Sequence, residues 1–342
     1  MTGDPSGESG APEGTPRSRA DARRATEADP SSLHSHVRAA RSEFEHQVER
    51  ARADFGQVND RINERSGRNL LLATLIGLGI GAAVLGSLLF IKSLFLIFAI
   101  PVCLLGVFEF SRALQAAGRK VDIWPQMILG LVIMVAAFLE GHWTHWVITF
   151  AAVCFLVVWR MTAQMTAHDG RSYGDVLSDT LVAGLIPLYV PFLASLTLVL
   201  LRQDGGEFWL LAMIAVVVAA DTGAYASGLA FGKHPMAPRI SPKKTWEGFA
   251  GAATLAVVAA VLAGLFLLHI PVWAAALFGI AVLATATVGD LGESMIKRDL
   301  GIKDMSSWLP GHGGVLDRLD SILPSTAVAL GLYFLLSPLV VS

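Results

Sequence analysis

Apolar residues dominate the chain from residue 70 onward, in long runs that short polar segments separate. A helix needs roughly 17–25 mostly apolar residues to cross a bilayer. The pattern predicts nine such helices, at 70–90, 94–110, 123–139, 143–159, 177–201, 208–228, 249–269, 271–289 and 322–341. Two pairs of runs have very short connections, at 91–93 and near 270, so the predicted number of spans has a margin of one. The predicted fold class is an all-α polytopic membrane protein.

The first 68 residues follow a different pattern. Residues 1–32 are rich in Gly, Pro, Ser, Asp and Arg, a composition typical of disorder. Over 33–66, apolar residues recur at spacings of three, four and seven, which suits an amphipathic helix or a short coiled coil, with a solvated helical linker as the simpler alternative. We therefore expect a polar tail, 1–68, and a transmembrane domain, 69–342.

Composition and charge agree with a membrane protein and give its orientation. The chain is 54% hydrophobic and 16% charged, with a mean hydropathy of +0.57, whereas a soluble domain has about 25% charged residues. Of the 26 Lys and Arg, 11 lie in the tail, 13 in loops on the same side as the tail, and only Lys92 and Arg202 on the other side. Because basic residues concentrate in cytoplasmic loops, we expect the tail to be cytoplasmic.

One polar block lies at the end of the sixth predicted span, and a second follows it. The first, 219–233, reads "AADTGAYASGLAFGK" and contains Asp221. A carboxylate in a span costs roughly 2.5–3.5 kcal/mol, so it usually faces a cavity, a cation or a basic partner. The second, 234–248, reads "HPMAPRISPKKTWEG". Its adjacent Lys243 and Lys244 suit neutralisation of a polyphosphate, and equally a topology signal against anionic lipid headgroups.

The third polar block, 287–321, combines acids and bases. Five side chains share one face if its first part is helical: Asp290, Glu293, Ser294, Lys297 and Arg298. Gly301 should end that helix, and Asp317 and Asp320 open the last span. Clustered carboxylates repel one another unless a cation lies between them, and Mg²⁺ prefers a few carboxylates with phosphate and water oxygens. Acids, a metal, phosphate and bases together are typical of phosphoryl and nucleotidyl transfer.

The third block resembles the long signature of the phosphatidate cytidylyltransferases, also called CDP-diacylglycerol synthases. The matching residues are Ser294, Lys297-Arg298, Lys303-Asp304, Leu309-Pro310, His312-Gly313-Gly314, Asp317-Arg318 and Asp320. The other two blocks are similar to the family's other polar segments, and the resemblance covers roughly 70–342. The resemblance does not extend to the tail.

The resemblance implies a nucleotidyltransferase of phospholipid biosynthesis that converts CTP and phosphatidic acid into CDP-diacylglycerol and pyrophosphate. It implies Mg²⁺, held by Asp290 and Asp317, and allows K⁺ as a second ion. The catalytic residues it implies are Asp290, Asp317, Lys297, Arg298 and Asp320. The substrate-binding residues expected with them are Asp221, Lys243, Lys244, Glu247, Ser294, Lys303, Asp304, His312, Gly313, Gly314 and Arg318. We expect CTP, membrane phosphatidic acid and a second copy of the chain as partners, no nucleic acid, and a plasma-membrane protein with a cytoplasmic active site.

Two other functions remain open at this point. A CTP-dependent kinase or cytidylyltransferase for another lipid, such as a polyprenol, would share the nucleotide site and differ in the lipid cavity. An ion-coupled transporter would place acids near the bilayer midplane in spans related by a repeat. The acids of this chain cluster at one predicted boundary instead, and no internal repeat is evident.

Overall fold

The computed structural model describes residues 79, 81–89, 91–167, 169–306 and 314–340. These residues belong to one compact unit, Leu71–Ser342. The predicted tail, 1–68, and its helix at 33–66 lie outside the described residues. The division of the chain into two domains at residue 68 therefore stays a prediction.

Helices make up nearly all of the described chain. They are α1 (Lys92–Ala116), α2 (Ile123–Leu139), α3 (His142–Thr166), α4 (Tyr173–Pro187), α5 (Leu193–Leu201), α6 (Gly206–Phe231), α7 (Trp246–Ala263), α8 (Val272–Asp299), α9 (Leu316–Leu319) and α10 (Ile322–Leu336). A π-helical turn, Leu188–Phe192, joins α4 to α5, and a second, Gly264–Leu268, extends α7. A 3₁₀ turn, Ser337–Leu339, follows α10.

The helices confirm an all-α polytopic membrane protein. Seven segments of the described chain are long and apolar enough to cross a bilayer: Lys92–Ala116, His142–Thr166, Tyr173–Leu201, Gly206–Phe231, Trp246–Leu268, Val272–Asp299 and Leu316–Leu339. A shorter apolar helix, α2, has 17 residues. These eight correspond to the predicted spans from 94–110 onward, and the predicted span 70–90 is described only at 79 and 81–89, which are helical. The number of crossings, nine, stays a prediction.

The second polar block contains a hairpin that the sequence pattern did not predict. Strands β1 (Pro235–Ala237) and β2 (Ser241–Thr245) pair antiparallel. Strands this short, interrupted by prolines, show no alternation of apolar and polar residues, and proline is tolerated only at the edge of a sheet. The Thr245 hydroxyl accepts a hydrogen bond from the Gly248 N–H (3.1 Å) and so caps α7. The hairpin is thereby attached directly to a membrane helix.

Small residues set the close approach of α6 and α7. A Cβ on Gly223 would lie 2.5 Å from the Gly251 carbonyl oxygen, and a Cβ on Gly251 would lie 1.9 Å from the Ser227 hydroxyl. Helices in a bilayer gain little from hydrophobic burial against each other, so they associate through close van der Waals packing at small residues. This packing holds Asp221 of α6 next to the hairpin that precedes α7.

A second close approach joins α8 to the start of α10. A Cβ on Gly289 would lie 2.3 Å from the Asp320 carbonyl oxygen and 2.7 Å from the Pro324 ring. Gly289 immediately precedes Asp290. The two halves of the third polar block, which the sequence separates by about 30 residues, therefore meet in space.

The opposite end of the bundle carries its own charged contacts. Lys92, at the start of α1, pairs with Glu207 at the start of α6 (2.7 Å). Arg202, next to that start, donates a hydrogen bond to the Ala137 carbonyl oxygen (3.3 Å). Lys92 and Arg202 thus belong to one end of the bundle, as the predicted topology requires.

Substituting Gly251 by alanine should separate α6 from α7, because the new methyl group would overlap Ser227 and the Gly223 carbonyl group. Overpacking of this kind costs about 1–3 kcal/mol. We expect a lower melting temperature in detergent. Gly331→Ala is the matched control, since a Cβ there has no neighbour within 4 Å. Equal melting temperatures for the two variants would contradict close packing of α6 on α7.

Candidate active site

A cavity of about 270 Å³ lies where the three polar blocks meet. It is lined by Ala220, Asp221, Ala224, Tyr225, Gly228, Met236, Lys243, Lys244, Thr245, Gly248, Phe249, Ala252, Leu283, Ala286, Thr287, Asp290 and Ser321. These residues come from α6, the hairpin, α7, α8 and the start of the last span. One part of the lining is apolar, and the other presents two carboxylates and two ammonium groups. The cavity therefore suits a ligand with a charged head and an apolar body.

An ion pair spans the polar side of the cavity. The Lys244 ammonium group donates a hydrogen bond to the Asp290 carboxylate and links the hairpin to α8. The Ser294 hydroxyl lies 3.5 Å from the other oxygen of Asp290, one helical turn further along α8. Asp221 and Lys243 line the same cavity. The first two polar blocks and the helical part of the third thus contribute to one site.

A second ion-pair network lies further along α8. The Lys297 ammonium group lies 2.9 Å from Asp317 Oδ1 and 3.3 Å from Glu293 Oε1. Asp317 Oδ2 also accepts hydrogen bonds from the backbone N–H groups of Gly314 (2.8 Å) and Met305 (3.0 Å). The Asp317 carboxylate therefore connects α8, the segment after it and α9.

Asp320 completes the group of carboxylates near Asp290. One of its oxygens accepts hydrogen bonds from the Ser321 N–H (2.6 Å) and the Ser321 hydroxyl (3.1 Å). Its backbone packs on Gly289, as described above. Asp320 is thus held beside the cavity lining by its own neighbour, Ser321.

Two buried polar atoms near this group have no hydrogen-bond partner in the described part of the chain. They are Glu293 Oε2 and the Tyr189 hydroxyl. An unpaired buried polar group in a native protein commonly marks a position for water, an ion or a ligand. The sequence placed Glu293 on the charged helix face but gave it no role. It gave no signal for Tyr189, which lies in the π-helical turn, a feature frequent at functional sites.

Several expected site residues do not line the cavity. The Glu247 carboxylate instead accepts from the Lys233 N–H (3.1 Å) and contacts the His234 ring (2.5 Å), so it fixes the start of the hairpin. Arg298 donates to the Ile240 carbonyl oxygen (3.2 Å), on the turn of that hairpin. Arg298 is exposed, and three further expected residues are also exposed and outside the lining: Lys303, Asp304 and Arg318. His312 and Gly313 lie outside the described residues.

The donor atoms of the cavity fit a hard divalent cation. Within the described ranges, no three His, Cys, Asp or Glu side chains are arranged to hold a metal by themselves. Mg²⁺ does not need such a set, because it usually takes one or two protein carboxylates and completes its shell with phosphate and water oxygens. Asp221 and Asp290 supply two carboxylates to one cavity.

Comparison with known proteins gives consistent matches. The profile of the cytidylyltransferase family matches residues 72–336. The phosphatidate cytidylyltransferase of Mycobacterium bovis is 37% identical over 280 residues, which cover 78% of this chain and 88% of that protein. The phosphatidate cytidylyltransferase of Haemophilus influenzae is 32% identical over 272 residues, covering 74% of this chain and 94% of that protein. The matched family region includes all three polar blocks and the cavity between them.

A double-mutant cycle should detect the pairing of Lys244 with Asp290. We expect Lys244→Ala and Asp290→Asn to show a coupling of about 0.5–1 kcal/mol in unfolding free energy, as for other partly exposed pairs. Lys244→Ala combined with Glu207→Gln is the control, because Glu207 belongs to the pair with Lys92 at the other end of the bundle. Strictly additive effects of Lys244→Ala and Asp290→Asn would contradict the pair.

Proposed function

The chain belongs to the cytidylyltransferase family, and we propose that it is a phosphatidate cytidylyltransferase of phospholipid biosynthesis. It transfers CMP from CTP to phosphatidic acid and releases CDP-diacylglycerol and pyrophosphate. The observation that carries the proposal is the cavity, where Asp221, Lys243, Lys244 and Asp290 face one space that also has an apolar lining. A lipid phosphate and a nucleotide triphosphate both need such charged groups, and a lipid also needs the apolar lining.

The chemistry requires positioning and charge neutralisation more than proton transfer. An oxygen of the lipid phosphate attacks the α-phosphorus of CTP, a new P–O bond forms, and the bond to the β-phosphate breaks so that pyrophosphate leaves with the electron pair. The attacking oxygen is already anionic near neutral pH, so no strong general base is needed. The protein must instead bring two anions together and stabilise the charge on the leaving group. Lys243 and Lys244 supply positive charge inside the cavity for both tasks.

We further propose, from the family resemblance, that Asp290 and Asp317 hold Mg²⁺, of which Asp290 lines the cavity and Asp317 does not. The ion would supply positive charge for the phosphate oxygens of CTP, which are also hard ligands. Asp290 faces the cavity, while Asp317 is bound by Lys297 and by two backbone N–H groups. Lys297, Arg298 and Asp320 remain proposed catalytic residues, with Lys297 free to exchange its carboxylate contact for a phosphate. K⁺ as a second ion is proposed from the family resemblance alone.

The surroundings of the cavity suit a substrate that stays in the membrane. Phe249, Ala252 and Leu283 form part of its lining. Tyr225, also in the lining, is 74% exposed, and Leu229, one turn along α6, is 77% exposed. Exposed apolar side chains on a membrane helix lie against acyl chains, so a lipid can enter from the side with its tails still in the bilayer.

We also propose the setting in which the enzyme works. The distribution of basic residues supports a cytoplasmic active site, and CTP is a cytosolic nucleotide. A plasma-membrane location and a homodimer are proposed from the resemblance to the family, with no nucleic acid as a partner.

The direct test is an assay of the full chain, purified in detergent, with labelled CTP and phosphatidic acid. We expect labelled CDP-diacylglycerol with Mg²⁺ and almost none after chelation of divalent ions. Polyprenol and polyprenyl phosphate replace phosphatidic acid in parallel reactions. Transfer to a polyprenyl acceptor without transfer to phosphatidic acid would show a different lipid enzyme, and no transfer to any lipid would refute the proposal.

Asp290→Asn and Asp317→Asn should each lose most of the activity while the protein remains folded. The amide keeps the size of the side chain but is a weaker ligand for Mg²⁺ because it lacks the charge. Melting curves and the dependence of activity on Mg²⁺ concentration, measured on both variants, provide the check. Lower stability with normal turnover per folded molecule would mean that the aspartate serves only its pair with Lys244 or Lys297.

A further inference from the structure

A buried carboxylate in α1, Glu109, belongs to none of the three polar blocks. Its side chain is 2% exposed although it lies inside a predicted span. A carboxylate in a span is unfavourable and normally faces an ionic partner or a functional site. Within the described residues, Glu109 forms no ion pair with a lysine, arginine or histidine. Its carboxylate accepts hydrogen bonds from the polypeptide between α8 and α10.

Glu109 joins the two ends of the segment that follows α8. The Ser306 hydroxyl donates a hydrogen bond to Glu109 Oε1 (2.5 Å), and the Leu316 N–H donates to Glu109 Oε2 (2.9 Å). Residues 305–306 and 314–316 flank a segment outside the described residues, and we name these two short stretches the loop neck. One carboxylate on α1 thus holds both stretches of the loop neck, about 200 residues away in sequence.

Asp317 holds the same loop neck by other atoms. Its carboxylate accepts from the Met305 N–H and from the Gly314 N–H. A Cβ on Gly314 would lie 2.8 Å from Glu109 Oε2 and 3.0 Å from Asp317 Oδ2. The carboxylates of Glu109 and Asp317 thus both lie against Gly314. A side chain at this position would collide with them, so glycine is needed.

We propose that Glu109 is a positioning residue for this enzyme: by holding the loop neck, it fixes the orientation of the Asp317 carboxylate. This inference rests on the proposed function, in which Asp317 belongs to the active site. Asp317 accepts hydrogen bonds from Met305 and Gly314. Glu109 holds Ser306, which follows Met305, and Leu316, which directly precedes Asp317. A functional carboxylate is effective only when its own supports are fixed, and loss of such a support typically lowers activity or metal affinity 10–100-fold.

Two near-isosteric substitutions separate this role from simple packing. In Glu109→Gln, the amide oxygen can accept from the Leu316 N–H while the amide N–H₂ donates to the Ser306 hydroxyl oxygen, so both contacts persist. Glu109→Met has a similar volume but can form neither contact. The methionine removes a polar group from a span, so poor insertion in the membrane is not expected to mask the result.

The control is a buried polar side chain that lies away from the loop neck. Gln126 in α2 is 2% exposed and donates one hydrogen bond to the Ala183 carbonyl oxygen (2.9 Å). Gln126→Met therefore also replaces a buried, hydrogen-bonded polar side chain by methionine, although the group it removes is an amide and not a carboxylate. Any effect common to both variants is a general consequence of losing a buried hydrogen bond.

The experiment combines kinetics with amide hydrogen exchange on the full-length protein in detergent. We expect Glu109→Met to lower kcat at least tenfold, to raise the Mg²⁺ concentration needed for half-maximal activity, and to speed exchange in peptides containing 302–306 and 314–319. Glu109→Gln should stay within about threefold of the unsubstituted protein. Gln126→Met should keep its kcat and its exchange at the loop neck.

Three results would overturn the inference. They are a normal kcat per folded molecule in Glu109→Met, unchanged exchange at the loop neck in that variant, or an equal loss of kcat in Gln126→Met. Should Glu109→Met fail to fold, Gly314→Ala tests the same contacts, because its methyl group would press on the Glu109 and Asp317 carboxylates. Unchanged kcat and unchanged hydrogen exchange in Gly314→Ala would also refute the inference. Inactivity of the unsubstituted protein would refute the proposed function instead, while the exchange comparison would still test the hold of Glu109 on the loop neck.

Discussion

Pairing of lysine ammonium groups with carboxylates at one end of the helix bundle is the interaction on which the candidate site depends. The Lys244–Asp290 pair attaches the hairpin to α8, and Lys297 attaches α8 to Asp317. Charges at the edge of an apolar medium are costly unless they are paired, and carboxylates brought together without cations repel each other. The pairs therefore allow several acids to share a small volume, and the ammonium groups of the pairs are then available to anionic substrates.

Such a site can form only if the helices that carry it come close together. Glycines at the contact between α6 and α7, and Gly289 at the contact of α8 with the start of α10, bring backbones within distances that a side chain would prevent. Each contact lies beside a charged residue, Asp221 in one case and Asp290 in the other. Packing of small residues and pairing of charges thus support each other.

The sequence was sufficient for the apolar helices of the described chain, because a long apolar run predicts a membrane helix; α2 has the bounds predicted for it, 123–139. The hairpin was not predictable from a few proline-interrupted residues. The blocks that form the site were predictable from their charge, but the partners within it were not, because pairing depends on how the helices pack. Glu247 illustrates this, since its carboxylate faces His234 and not the cavity. Glu109 is an acid inside the predicted span 94–110, which is a signal, but it lies far from the charged blocks in sequence, so the sequence does not show what it faces.

The length of α8 has a consequence for the membrane in which the protein can work. Its 28 residues extend about 42 Å at 1.5 Å per residue, more than the hydrocarbon core of about 30 Å. Asp290 lies 18 residues after Val272, or about 27 Å along the axis, so with Val272 at one edge of the hydrocarbon core Asp290 would lie near the opposite edge. In that position, the length of α8 before Asp290 would place the carboxylate near the headgroups. In a thicker bilayer, Asp290 would lie within the hydrocarbon core. The energy of its carboxylate therefore depends on the match between α8 and the bilayer thickness.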